Sequence, residues 1–241
     1  MSSWSFVQHA HTRHSFDSMS EPRALVKHAA ALGIDVLAVT DHDTWEGSVV
    51  CRAAAEAAGL DLHVILAAEY ATDQGDIIGL FLEREIRTGS ALEICDQIHE
   101  QGGLALLPHP YRWHRLDDLL LDRIDLIEVH NSRTSRADNT RAAELAFARK
   151  LPELVGPDAH RLGELGLARN VFEGERPRDA AGLADALLHA PRRFETRPGS
   201  MWDEWLSQAV KVARRPSVSG AWWLLRGGVR RMVKPREYQL G

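Results

Sequence analysis

His9-Ala10-His11 sets two imidazoles two residues apart, with Asp17 following a few residues later. In an extended segment both rings can reach one cation, which a helix does not allow at that spacing. Further ligand-type residues recur along the chain in Thr40-Asp41-His42-Asp43, Ala68-Glu69, Pro108-His109-Pro110, Glu128-Val129-His130-Asn131 and Pro157-Asp158-Ala159-His160. Sulfur is scarce, since Cys51 and Cys95 are the only cysteines and both fall in helix-like stretches. A thiolate zinc site is excluded and a disulfide framework is not expected. Imidazole and carboxylate together suit Zn, Mn or Fe, with positions left open for water. His9, His11, Asp41, His42, Glu69, His109, His130, Asp158 and His160 exceed what one metal needs and fit a cluster of divalent ions. Two such ions about 3.5–4 Å apart can clamp the attacking and leaving oxygens of a phosphoryl group and make hydroxide available near neutral pH.

These residues need a scaffold that brings distant segments together. From Phe6 to Phe194 short apolar runs alternate with amphipathic stretches, the pattern of an α/β protein with a largely parallel sheet. Ser20 is expected to cap a helix with Pro22 in its first turn, and Gly33 to end it. A second helix is expected over about Glu46 to Ala58, and a third from a Ser90 cap to Gln101. Asp73-Gln74-Gly75 reads as a turn joining an antiparallel pair, and helices follow over about Asn139 to Lys150 and Asp179 to His189. The decisive feature is position: the ligand-type residues fall at or just past the C-terminal ends of apolar runs. In a closed β/α barrel those ends converge on one face, where active sites sit. No Gly-x-Gly-x-x-Gly turn or P-loop competes with this reading.

The 241-residue chain has a formal net charge of −5, so the whole molecule gives no reason for non-specific nucleic-acid binding. No basic-then-apolar leader and no spanning run occur, and a cytoplasmic location is expected. After Pro198-Gly199 the character changes. Trp202, Trp205, Trp222 and Trp223 interleave with Lys211, Arg214, Arg215, Arg226, Arg230, Arg231, Lys234 and Arg236. The plainer expectation is a docked helix and arm that packs its tryptophans on the barrel, with a solvated basic face. The sharper one is contact with nucleic acid or an anionic membrane. The expected organisation is a barrel over residues 1–198 and an extension over 199–241.

The ordered set of motifs resembles the PHP (polymerase and histidinol phosphatase) family over roughly Phe6 to His160. The resemblance implies a distorted seven-stranded TIM-like β/α barrel and a metal-dependent phosphoesterase, acting on phosphomonoesters, nucleotides or nucleic acid. It implies one metal on His9, His11, Glu69 and Asp158. A second would share Glu69 with His109 and His130, and a third would take Asp17, His42 and His160. Glu69, Asp158 and His160 are thereby expected to carry catalysis. Asp17 stands where the histidinol phosphatase branch has histidine, and Asp76 where other members also carry one. Arg112, Arg115, Arg133 and Arg136 follow ligand-bearing strand ends and are candidates for phosphate oxygens. Asp41 and Asp43 are candidates for orienting imidazoles, Asp43 equally for capping the next helix. His28, His63, His99 and His189 are read as non-ligands, while His14 and His114 stay open. The favoured reading is hydrolysis of a small phosphorylated substrate by hydroxide on phosphorus. The alternatives are an oligonucleotide-processing nuclease using the basic tail and a non-catalytic metal-binding module.

Overall fold

The structure is a computed structural model, and it describes residues 2–197, 199 and 201–216. The elements run β1 (Ser3–Ala10), α1 (Pro22–Ala31), β2 (Val36–Val39), α2 (Glu46–Ala57), β3 (His63–Thr72) and β4 (Gly75–Leu80). There follow α3 (Ala91–His99), β5 (Leu104–Leu107), α4 (Asp118–Leu121), β6 (Leu126–Asn131), α5 (Arg136–Arg149) and β7 (Glu153–Gly156). A short 3-10 turn at Leu162–Glu164 leads to β8 (Ala168–Glu173), α6 (Ala180–His189), β9 (Arg192–Thr196) and α7 (Met201–Arg214).

The strands form one sheet of nine, in the order β7-β6-β5-β4-β3-β2-β1-β8-β9. β1, β2 and β3 pair in parallel, as do β5, β6 and β7, while β4 is antiparallel to both neighbours. The sheet curls until the chain after β7 meets β1. The amide of His11 donates to the carbonyl of Ala159 at 2.8 Å, and that of Ala159 to the carbonyl of His9 at 3.0 Å. Asn170 of β8 fills the remaining gap, with its amide nitrogen on the carbonyls of Val155 and Phe6 and its oxygen accepting from the Val155 amide. Buried polar groups are satisfied there by a side chain where no ladder is available.

Seven strands were expected, and the described residues form nine. β8 and β9 add an antiparallel pair on the β1 edge. The sequence of β9, Arg-Arg-Phe-Glu-Thr, has mostly polar side chains because it is a largely exposed edge, so hydrophobic patterning passes over it. Ser90 caps α3 as expected and forms a capping box with Glu93. Ser20 does not cap α1; its hydroxyl donates to the His160 carbonyl, and Glu21 occupies the cap position without a side-chain bond to the helix amides.

Phe6, Ile65, Ile78, Leu80, Leu106, Leu126, Leu154 and Phe172 belong to one buried cluster, with Trp4 stacked on Phe172 at 4.3 Å. A second joins β3 to β7 with α3, α4 and α5, and a third joins α1 and α2 to β1 and β2. These clusters make the strands rigid and fix where the polar ends emerge. Cys51 and Cys95 are free and buried within them. Among the described residues, no helix is long and apolar enough to cross a membrane.

Candidate metal centre

The ligand-type residues leave the strand ends through unusual backbone. His9, His109 and Asp158 have φ of 68°, 26° and 51°, a region that non-glycine residues seldom adopt. The pairing register of β1 slips between Val7 and Ala10, bracketing His9, and that of β6 slips between Glu128 and His130. Bulges of this kind re-aim side chains, and left-handed residues cost energy that the surrounding fold must supply. Here both devices fall on the residues that sequence spacing marks as ligands.

Three groups of potential ligand atoms result: His9, His11 and Asp158; His9, Glu69 and His109; and His11, Asp17, His42 and His160. Glu69 lies among all three. Its Oε2 is 3.4 Å from Nε2 of His9, 3.5 Å from Nε2 of His11 and 3.3 Å from Nδ1 of His42. Its Oε1 is 3.3 Å from Nε2 of His109. Asp158 Oδ1 is within 3.6 Å of His9 and 3.5 Å of His11, and Asp17 Oδ2 stands 3.1 Å from His160 and 3.4 Å from His42.

These atoms fit a metal cluster by their chemistry. Nε2 of His9 and His11, both Glu69 oxygens, Oδ1 of Asp17, Nδ1 of His109 and Nε2 of His130 are buried and make no hydrogen bond. Buried polar atoms without partners are costly, and those of His9, His11 and Glu69 face one another, which marks a place built for cations. Electrostatics agree. Burial penalises the Glu69, Asp158 and Asp17 carboxylates, but the neighbouring imidazoles hold all three well below their ordinary range. Burial would lower His9, yet Glu128, Asp158 and Glu69 outweigh it and hold the ring well above its usual value. His42 is likewise buried but is raised to about 9 by Glu69 and Asp17. His160 goes the other way, pushed down to about 4 by burial, with Arg133 and His11 adding to it against Asp17.

Outer partners hold the ligands in place. Nδ1 of His9 lies 3.0 Å from Glu128 Oε1, and Nδ1 of His11 lies 3.1 Å from the Ser15 hydroxyl. Partners of this kind fix the tautomer and rotation of a ligating ring. Glu128 appears in the sequence motif beside His130, but nothing local identifies it as the partner of His9, which is remote in sequence. Asp41 does not orient an imidazole. It accepts from the amide and hydroxyl of Thr12 at 2.6 Å each and from the Ser15 amide at 3.2 Å, fixing the loop after β1. Gly47 permits this approach, because a Cβ there would lie 1.6 Å from Asp41 Oδ2. Asp43 accepts from the Ala71 amide and does not cap α2, whose cap residue is Trp45.

His130 is the one expected ligand outside the three groups, with Nδ1 3.3 Å from the Asn139 amide nitrogen. Asp76 faces the centre closely enough for burial and Glu69 to raise its carboxyl. Of the arginines, Arg112 reaches Asp158 Oδ2 at 3.5 Å, whereas Arg115 and Arg136 are exposed. Arg133 is buried against Glu164, the Asp158 carbonyl and the Ser207 hydroxyl of α7. His114 packs its ring 5.6 Å from His109, and His14 pairs with Glu46. His99 and His189 pair with Asp125 and Asp185 away from the centre, as expected of non-ligands.

The described part of the extension meets the barrel through basic residues. Trp202 is 66 % exposed and meets Trp205 edge-on, while the basic residues of α7 reach the barrel. Arg214 donates to loop carbonyls, and Lys211 and Arg215 lie over the Phe16 ring. Trp222, Trp223 and the arginines beyond them lie outside the described residues.

Comparison with known proteins agrees with this geometry. Over 140 residues the chain is 37 % identical to the uncharacterized protein MJ1587 of Methanocaldococcus jannaschii, covering 51 % of this chain and 81 % of that one. A Bacteroides vulgatus two-domain protein containing a predicted PHP-like metal-dependent phosphoesterase superposes with a TM-score of 0.68 at 17 % identity. That match covers 86 % of this chain and 69 % of the other. The lesion-specific endonuclease PfuEndoQ of Pyrococcus furiosus superposes with a TM-score of 0.57 at 17 % identity, over 80 % of this chain and 58 % of the other. The family model of the PHP domain matches residues 8–190, and the chain belongs to that family.

Proposed function

We propose that this protein is a metal-dependent phosphoesterase that hydrolyses a small phosphorylated substrate, a phosphomonoester or a nucleotide. The observation that carries the reading is Glu69, a buried carboxylate with both oxygens free of hydrogen bonds and facing four imidazoles. His9, His11, Glu69 and Asp158 would hold one cation; Glu69 and His109, with His130 at the edge, a second; Asp17, His42 and His160 a third. When bound, divalent cations supply positive charge to phosphoryl oxygens and make hydroxide available at neutral pH.

The chain's own residues do the rest. Glu128 holds a proton on Nδ1 of His9, leaving Nε2 turned inward. Burial lowers His160 to about 4, so its ring is neutral at physiological pH with Nε2 turned toward Asp17. Arg112 is the guanidinium best placed to meet non-bridging phosphate oxygens, being partly exposed and within reach of Asp158. Arg133, already committed to Glu164 and Ser207, supports the Asp158 turn instead. The test is phosphate release from a panel of monoesters and nucleotides by metal-reconstituted protein, with Glu69→Gln and Asp158→Asn expected to abolish it.

A second reading, an oligonucleotide-processing nuclease, is favoured by Lys211, Arg214 and Arg215 standing beside the loop that carries Asp17. It predicts that Lys211→Glu with Arg215→Glu weakens turnover of oligonucleotides far more than that of a small monoester. Equal effects on both would remove it.

A further inference from the structure

The segment from Thr12 to Glu21 has no regular structure, yet it carries Asp17 into the third ligand group. From the barrel side it is held by Asp41 and by the Ser18 hydroxyl, which lies 2.9 Å from the carbonyls of both His11 and His160. From the other side it is held by α7. Nη1 of Arg214 donates toward the carbonyls of Arg13, Ser15 and Ser18 at 3.2, 2.8 and 2.9 Å. Ser15 and Ser18 bracket Asp17. Between them Phe16 stacks on His42 at 4.8 Å and 16°, with the Arg215 guanidinium 4.2 Å and the Lys211 ammonium 5.0 Å from its ring centre. Two ligands of the third group, Asp17 and His42, are therefore each one step from the extension.

We propose that Arg214 is a positioning residue for the third metal: the extension completes that part of the centre by fixing the Asp17 loop through its carbonyls. The proposal rests on the metal-centre reading above. A competing effect has the opposite sign, because a cation near a metal site repels the metal. Arg214 is exposed and its charge is screened by solvent, whereas a displaced carboxylate acts at bonding distance. Geometry should therefore outweigh repulsion, and partners that orient ligands typically change metal affinity about 10–100-fold.

The experiment uses the full chain, stripped of metal and titrated with Mn²⁺, with bound equivalents counted by elemental analysis and spin resonance. The wild type should bind three equivalents. Arg214→Ala should keep two with unchanged affinity and bind the third about 10–100-fold more weakly. Arg214→Lys, whose ammonium can still donate to the loop carbonyls, should recover part of the loss. Circular dichroism of the metal-free variants checks folding, and Arg214→Gln serves if the alanine variant is unstable. Three equivalents of undiminished affinity in Arg214→Ala, or a tighter third, would overturn the proposal while leaving the metal centre intact. A wild type that binds no more than two equivalents would also overturn it. One that binds none would remove the metal-centre reading as well.

Discussion

The Glu128 carboxylate meets Nδ1 of His9 at 3.0 Å, leaving the opposite nitrogen of the same ring 3.4 Å from Glu69. One buried carboxylate thus orients a histidine that two of the ligand groups share. All contacts of Glu128 are with donors: Oε1 takes Gln8 and His9, and Oε2 takes the His109 amide and Asn131. Glu128→Gln turns an NH2 group toward two of those donors. It should lower metal affinity about 10–100-fold and stability by roughly 1–3 kcal/mol. Metal titration and chemical denaturation of the metal-free variant would check both; unchanged affinity would mean that His9 is oriented without Glu128.

Gly156 sits against the same carboxylate. A Cβ there would lie 2.0 Å from Glu128 Oε1 and 3.1 Å from the His9 Cβ. Gly156→Ala should cost roughly 1–3 kcal/mol by overpacking and weaken metal binding along with it. Gly163→Ala, with nothing within 4 Å, is the control and should leave both unchanged. Thermal melts with and without metal separate the two effects.

The pH dependence of metal loading follows from His42. Its pKa of about 9 lies above the ordinary histidine value, so the metal-free protein carries a proton there at neutral pH. That raised value stabilises the metal-free fold fully below the unfolded histidine pKa, and the stabilisation is lost as pH rises through about 9. A metal taking His42 must displace the proton. Affinity at the third group should climb up to about tenfold per pH unit toward that point and flatten above it. His160, lowered to about 4, contributes no further proton in this range. Isothermal titration in buffers of different ionisation enthalpy counts the released protons, and none at pH 7 would contradict the assignment of His42.

Arg112 and Arg115 follow the same strand but face different surroundings. Arg112→Ala should lower kcat/KM about 10–100-fold, the scale of a lost charge-assisted contact to phosphate. Arg115→Ala, an exposed residue, should stay within about twofold. Steady-state kinetics on any accepted phosphoester decides between them, and reversed effects would place the substrate against the opposite side of the loop.

Much of the centre is legible in the sequence because its scaffold obeys a positional rule. Parallel strands deliver their C-terminal ends to one face, so ligand-type residues at the ends of apolar runs must meet. Asp73-Gln74-Gly75 likewise announces the antiparallel β3–β4 pair. What escapes reading depends on contacts between segments with no local signature. Ser20 resembles a helix cap because the cap signal is local, whereas its bond to the His160 carbonyl is not. Arg133 resembles a substrate arginine until Ser207 of α7 is seen against it. The tryptophans of the extension suggest apolar docking, but the described part of α7 reaches the loop through Arg214, Arg215 and Lys211. The polar edge strand β9 lacks the apolar alternation that would reveal it.

The residues around Glu69 are proposed to hold metal and to use it on phosphoesters. The most direct measurement combines elemental analysis of the purified chain with phosphate release from monoesters, diesters and oligonucleotides, after stripping and reconstitution with Zn, Mn or Fe. Turnover should disappear on stripping, return on reconstitution and be absent in Glu69→Gln. Stoichiometric metal with no phosphoester cleaved, or cleavage that survives both metal removal and the Glu69 substitution, would contradict the proposal.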